Sequence, residues 1–182
     1  MNLKKLLISS IVVMAALSTQ VYAKELQAQV QKNTANANKA VKTSPVQAPS
    51  ATQAYPEISK LIEYNHCAEA DVKIRQLLNM KPNDINLLAL RAVSLAKQFK
   101  LDPAQKELDK LLKQYPKNPT LHYAQGLVFL QRTTSSDVDY IKNTRGLINS
   151  AIKEFVTAVT LNTKYYEAYN AMGVATLKLG NR

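Results

Sequence analysis

Two proline-containing breaks lie in the middle of the chain. They are "NMKPND" at residues 79–84 and "QYPKNP" at residues 114–119, and we call the interval from Pro82 to Pro116 the period. Between the breaks, apolar residues recur at helical spacing, and Gly is scarce, at four residues in the whole chain, which favours helices. A period of about 34 residues accommodates two helices, and it predicts an all-α chain in which pairs of helices stack on one another.

Small and aromatic residues follow a common order within each period. Gly126 and Phe129 lie on a first helix, and Ala151, Phe155 and Ala158 lie on a second. Two helices that pack about 8–10 Å apart need a small residue where they cross, and bulky residues fill the rest of the interface. This order of residues, the closing prolines and the length of the period together resemble the pattern of the tetratricopeptide repeat (TPR) family. The resemblance implies a right-handed helical solenoid.

On this resemblance, residues 56–182 form a TPR-like helical repeat domain of about three helix pairs followed by an unpaired terminal helix. Solenoid families with other helix-pair lengths are the alternative. Arg91 and Gln125 stand where the family usually has Leu, and Thr163 replaces one closing Pro. Two interpretations of the final helix follow. Either it belongs to a longer solenoid, or it is the cap of the stack and its exposed face is an assembly surface. The units are about 56–84, 85–118, 119–165 and the incomplete 166–182.

The unit 119–165 is longer than the period by about 13 residues, and the excess lies in residues 133–150. Ser136, with Asp139 three residues on, predicts a helix N-cap at this point. The favoured interpretation is a second helix that is extended at its N-terminus and projects from the edge of the solenoid. The alternative is a separate short helix before Gly146. The insertion either contacts a partner or is a tolerated variation in length.

The start of the chain has the three parts of a secretory signal peptide, predicted over residues 1–23. Lys4 and Lys5 give a positive start, residues 6–17 form an apolar run, and the small residue Ala23 precedes the expected cleavage point. As a helix the run spans about 18 Å, short of the ~30 Å hydrocarbon core. We therefore expect export to a periplasm or to the extracellular space, with no stable membrane span after cleavage.

Residues 24–55 are predicted to be a disordered linker. They consist mainly of Gln, Asn, Ala, Lys, Thr, Ser and Pro, with no aromatic residue before Tyr55. Such a segment buries too little apolar surface to offset the entropy lost on ordering.

Charge and cysteine content exclude several classes of function. The chain carries a net charge of +11, but basic and acidic side chains are interspersed from residue 56 on, so we expect no nucleic-acid binding. Cys67 is the single cysteine, which rules out an intrachain disulfide.

No pattern of residues indicates catalysis, a cofactor or a metal site. His66 and Cys67 are adjacent and diverge on a helix, and His122 has no carboxylate cluster beside it in sequence. Asp137 and Asp139 hint at a calcium loop, but the Gly and distal Glu of that loop are absent. We therefore expect a protein that is not an enzyme, with no cofactor and no metal.

The TPR resemblance implies that the first helices of successive units line a concave groove that binds a protein or peptide partner. Asn86, Tyr123 and Asn170 are candidates to hydrogen-bond a peptide backbone, and Lys97 and Lys178 to favour an acidic segment. The family's carboxylate-clamp set is not reproduced, so chaperone-tail binding is not implied. The groove residues implied by position are Asn86, Ala89, Leu90, Val93, Lys97, Thr120, Tyr123, Ala124, Leu127, Leu130, Gln131, Glu167, Asn170, Ala171, Val174 and Lys178.

The sequence thus predicts an exported TPR scaffold that acts through protein–protein contacts. One alternative is the N-terminal interaction region of a larger protein with a downstream activity. Another is a structural component of a cell-envelope assembly or secretion machine. The sequence indicates no particular oligomeric state.

Overall fold

The computed structural model describes residues 49–180, without the side chains of Val138 and Tyr140. All regular secondary structure in this range is α-helical, which confirms the all-α prediction. The predicted signal peptide and residues 24–48 of the predicted linker lie outside the described residues. The helices are α1 (Ala51–Ala54), α2 (Pro56–Glu63), α3 (Cys67–Met80), α4 (Ile85–Lys97), α5 (Leu101–Gln114), α6 (Pro119–Arg132), α7 (Val138–Lys142), α8 (Thr144–Leu161) and α9 (Tyr166–Gly180).

The longer helices alternate between two rows. Helices α2, α4, α6 and α9 contact one another in that order, and we call them the A helices. Helices α3, α5 and α8 each pack between two successive A helices, and we call them the B helices. Most packing therefore joins helices that are adjacent or next but one in sequence.

The turns from α2 to α3 and from α4 to α5 share one backbone geometry. Asn65 and the residue after it donate their amide hydrogens to the carbonyls of Ile62 and Leu61. The same two bonds recur one period later, donated by Phe99 and Lys100. This pair of bonds is the Schellman motif, in which a residue in the left-handed conformation ends a helix. The sequence period is thus also a period of the backbone.

Side-chain caps start two of the A helices in the same way. The Asp84 carboxylate accepts hydrogen bonds from the amides of Asn86 and Leu87 at 3.0 and 3.1 Å. The Asn118 side chain does the same one period later for the first turn of α6, at 2.9 and 3.2 Å. Pro119 follows as the first residue of α6, where its missing N–H leaves no intrahelical bond unmade.

Small residues lie where A and B helices cross. A Cβ atom built at Gly126 of α6 would overlap the Phe155 ring of α8, 2.7 Å from Cδ1 and 2.8 Å from Cζ. Gly126 therefore leaves room for the Phe155 ring, which is fully buried. Ala92, Ala104 and Leu108, at the α4–α5 pair, are fully buried as well.

The insertion contains a separate short helix, so the favoured prediction of a single extended helix is wrong. Helix α7 ends at Lys142, and α8 begins at Thr144 after Asn143, whose φ and ψ of −106° and 19° leave the helical range. The Asn143 side chain folds over Gly146, where a Cβ atom would overlap its Oδ1. The N-cap is also one residue later than predicted, because Asp137 accepts the bond from the Asp139 amide at 2.9 Å.

The predicted linker differs from the structure at its C-terminal end. Residues 50–55 are ordered, and α1 packs against α2 and α4. Ser50 starts this helix through a capping box with Gln53, in which each side chain bonds the other residue's amide at 3.3 Å. Ala51 joins the apolar core with 3% of its surface exposed. This local cap and the burial of Ala51 stabilise a segment whose composition alone indicates disorder.

Candidate functional site

A cleft of about 370 Å³ runs across the A helices. It is lined by side chains of α1 and of all four A helices, and by no residue of a B helix. Its walls combine apolar side chains with a few polar ones, the composition typical of ligand-binding concavities. The lining residues are Ala51, Thr52, Ser59, Ile62, Glu63, Ala89, Leu90, Val93, Lys97, Thr120, Tyr123, Ala124, Leu127, Glu167, Asn170, Ala171 and Val174.

Twelve of the sixteen residues that the sequence predicts for a groove line this cleft. They recur at helical spacing, so each A helix presents one face to the cleft; on α6 these are Thr120, Tyr123, Ala124 and Leu127. The four that do not line it are Asn86, Leu130, Gln131 and Lys178.

Asn86 lies beside the cleft rather than within it. It borders a neighbouring depression together with the capping residues Asp84 and Asn118 and with Asn162 at the end of α8. Its side-chain amide donates to the carbonyl oxygen of Pro49 at 3.4 Å. Asn86 therefore contacts a peptide backbone, and that backbone belongs to the same chain.

Tyr123 of the cleft packs in an aromatic cluster with two buried residues that do not line the cleft. The Tyr123 ring centroid lies 5.9 Å from that of Phe155 and 5.1 Å from that of Tyr165, with tilted planes in both pairs. Burial first, and then the negative charges of Glu167 and Glu63, raise the pKa of Tyr123 to about 12. The Tyr123 hydroxyl therefore keeps its proton at neutral pH and is available as a hydrogen-bond donor.

Three charged side chains line the cleft, namely Lys97, Glu63 and Glu167. Because Lys178 does not line it and two carboxylates do, the described geometry does not favour an acidic segment over a neutral one. One Glu167 oxygen, Oε1, accepts a hydrogen bond from the Ser50 hydroxyl at 2.8 Å. The other, Oε2, is buried without a hydrogen-bond donor among the described residues.

Sequence reasoning misses the part of the cleft that α1 and α2 contribute. Ala51 and Thr52 fall in the predicted linker, and Ser59, Ile62 and Glu63 fall in the unit 56–84, for which no groove residue is predicted. A signal for α1 does exist, because Ser50 and Gln53 have the spacing of a capping box.

His122 and Cys67 lie outside the cleft. His122 links α6 to α8, with Nδ1 2.7 Å from Glu154 Oε2 and Nε2 2.9 Å from the Pro116 carbonyl oxygen. Cys67 is buried at the start of α3, and burial raises the pKa of its thiol. Within residues 49–180, no group of three or more His, Cys, Asp or Glu side chains is placed to hold a metal ion.

Comparisons with other proteins do not assign the chain to a family. No protein-family model, curated protein or solved structure matches it. Across the described part of the chain, no helix combines the length and the apolar character needed to cross a membrane.

Proposed function

We propose that this chain is an exported TPR-like scaffold that binds a peptide or protein segment in the cleft across its A helices. Its architecture is a right-handed helical solenoid of about three helix pairs followed by α9. The alternation of A and B helices supports this proposal, as do the two turns that share one geometry a period apart and the Gly126–Phe155 crossing.

One observation carries the proposed binding role. Successive A helices direct equivalent faces toward one concave surface, so residues far apart in sequence, such as Val93, Leu127 and Val174, line a single cleft. These three side chains form an apolar row, of which Val174 is 50% exposed. An apolar row with polar groups at its margins suits a short segment that docks a few side chains and hydrogen-bonds through its backbone.

The proposed location depends on the sequence alone. The positive start, the apolar run and Ala23 support export, and the protein then acts in a periplasm or outside the cell. The proposal includes no catalytic step, no cofactor and no nucleic-acid partner.

The test is capture of partners by the full chain in three forms. One is the wild type. The second carries Asn170→Ala and Val174→Glu, both at exposed positions in the cleft. The third carries Val72→Glu, which places the same charge on a similarly exposed apolar residue of α3, outside the cleft.

We expect the wild type and the Val72→Glu control to retain the same partners and the cleft variant to lose them. Circular dichroism of all three proteins establishes that folding is equal. Retention of every partner by the cleft variant would contradict the proposal.

A structural role in an envelope assembly is the second candidate, supported by the exposed apolar face of α9. Tyr166 and Leu177 expose 64% and 68% of their surfaces, and a Cβ atom built at Gly173 would meet nothing within 4 Å. Fractionation at low and high salt separates the two candidates, because a component of a stable assembly sediments with it at both salt concentrations.

A further inference from the structure

The residues just before α2 lie between the cleft and the neighbouring depression, and they bind two A helices in the manner of a ligand. The Pro49 carbonyl accepts a hydrogen bond from Asn86 of α4, and the Ser50 hydroxyl donates one to Glu167 of α9. Ser50 and Glu167 are 117 residues apart in sequence. Ser50 and Ala51 each expose only 3% of their surface.

The two helix residues that hold this segment belong to one row of equivalent positions. Asn86, Thr120 and Glu167 each lie one turn before the cleft-lining residues Ala89, Tyr123 and Asn170 of their helices. A chain that bonds Asn86 at one end of the row and Glu167 at the other therefore runs across the A helices. The polar side chains at the two ends of this row therefore bind a backbone carbonyl and a hydroxyl group. Any peptide that contains Ser or Thr offers both groups.

The segment leaves part of the cleft's binding capacity unused. Glu167 Oε2 is buried with no donor among residues 49–180, which is an unfavourable state for a carboxylate oxygen. The apolar row of Val93, Leu127 and Val174 also stays partly open, since Val174 is half exposed. A longer peptide in place of the segment would supply an N–H donor for Glu167 Oε2 and an apolar side chain that covers the apolar row.

We propose that Pro49–Ala54, which forms one wall of the cleft, is an intramolecular ligand of the polar row at the cleft's edge, and that the natural partner is a segment of the same chemistry that displaces it. This partner carries Ser or Thr followed by Ala, as in Ser50–Ala51, and an apolar side chain that reaches Val93 and Val174. The inference depends on the proposed binding function, and it adds the chemistry of the partner and a competition that limits partner access. Ala at the second position follows from the burial of Ala51, because a larger side chain would overpack that site.

The test uses a fluorescent synthetic peptide of residues 45–54, "PVQAPSATQA", and the full chain. The tethered segment acts at an effective concentration on the order of millimolar, so it competes with the added peptide. Ala51→Arg in the protein expels the tethered segment, and Ser50→Ala weakens it without added bulk. By fluorescence anisotropy, we expect the peptide to bind the Ala51→Arg protein about tenfold or more tightly than the wild type, with Ser50→Ala between them.

Two controls define the result. A peptide that itself carries Ala51→Arg should not bind, and Glu167→Ala combined with Ala51→Arg in the protein should weaken binding of the unmodified peptide.

Equal affinity for wild type and variants, or binding to none of them, would overturn the inference. Partner capture that depends on Val174 but does not change with Ala51→Arg would remove the inference and leave the proposed function standing. Peptide binding in trans without any partner that depends on the cleft would remove the proposed function and the inferred partner with it, and would leave only the intramolecular contact of residues 49–54.

Discussion

Asn65 and Phe99 occupy equivalent positions one period apart, and both adopt the left-handed backbone conformation, with φ of 66° and 59°. Each residue ends an A helix and directs the chain into the following B helix. Asn tolerates this conformation, whereas a bulky residue such as Phe is strained in it. The Phe99 side chain is 56% exposed, so its packing offsets only part of the strain.

We therefore expect Phe99→Asn to stabilise the protein by about 1 kcal/mol through relief of backbone strain. Thermal and urea melts of the purified chain measure the change. Asn65→Phe is the reciprocal control and should destabilise by a similar amount. A Phe99→Asn protein that melts below the wild type would show that the Phe99 ring contributes more by packing than the backbone loses by strain.

Gly126 and Gly173 form a matched pair for a second prediction. Both lie inside A helices, where Ala has the higher helix propensity by about 1 kcal/mol. A methyl group at Gly126 overlaps the Phe155 ring, whereas one at Gly173 meets open space. We expect Gly126→Ala to destabilise by about 1–3 kcal/mol and Gly173→Ala to stabilise by up to about 1 kcal/mol, measured by urea denaturation. Equal effects of the two substitutions would mean that the α6–α8 crossing tolerates a methyl group.

The same crossing is readable from sequence because small and aromatic residues mark it directly. Gly126 and Phe155 are separated by the insertion, yet their residue types at helical spacing place them opposite each other. The helix starts at Asp84 and Asn118 are equally predictable from the sequence, because a capping residue followed by apolar periodicity is a local signal.

Polar pairs between different helices could not be predicted from the sequence. Arg91 and Gln125 stand where the TPR family usually has Leu, and the sequence offers no explanation for them. In the structure, Arg91 forms an ion pair with Glu107 of α5, and Gln125 donates to the Gln105 side chain at 2.9 Å. Each departure is thus matched by a polar residue on a packed helix, which only the three-dimensional arrangement identifies.

Helix α1 is not predicted, and the break at Asn143 is predicted only as the alternative to one extended helix, for a different reason. Both depend on single-residue effects that composition and periodicity do not register. Ala51 becomes ordered because a surface contributed by distant helices buries it, and Asn143 ends α7 because Gly146 leaves room for its side chain. The Ser50 capping box is weak evidence without that burial.

Truncation of Phe155 tests the centre of the α6–α8 interface. The side chain is fully buried and contacts Tyr123, so Phe155→Ala leaves a cavity beside this residue of the cleft. We expect a loss of about 3–5 kcal/mol in the free energy of unfolding, measured by urea denaturation. Phe129→Ala, at a half-buried position on α6, is the control and should cost less. A melt that is unchanged by Phe155→Ala would contradict the packing described for this helix pair.

The His122–Glu154 contact predicts a dependence of stability on pH. The hydrogen bond to Glu154 raises the pKa of His122 above its ordinary value, and the Pro116 carbonyl and the Glu154 charge act in the same direction against burial, which lowers it. A raised pKa in the folded state means that the protonated form is stabilised by folding. This contribution is complete below the unfolded pKa of about 6.5 and is lost as the pH rises through the higher folded value.

We therefore expect the melting temperature of the wild type, relative to that of His122→Gln, to fall as the pH is raised from about 6 upward through the folded pKa. The comparison with the variant removes the contributions of other titrating groups. His66→Gln is the matched control, because it removes an exposed imidazole at the start of α3 that forms no part of the link between α6 and α8. A difference between wild type and His122→Gln that stays constant with pH would show that the link between α6 and α8 does not depend on the charge of the imidazole. A difference that grows with pH would reverse the sign and mean that the neutral ring is the form stabilised by folding.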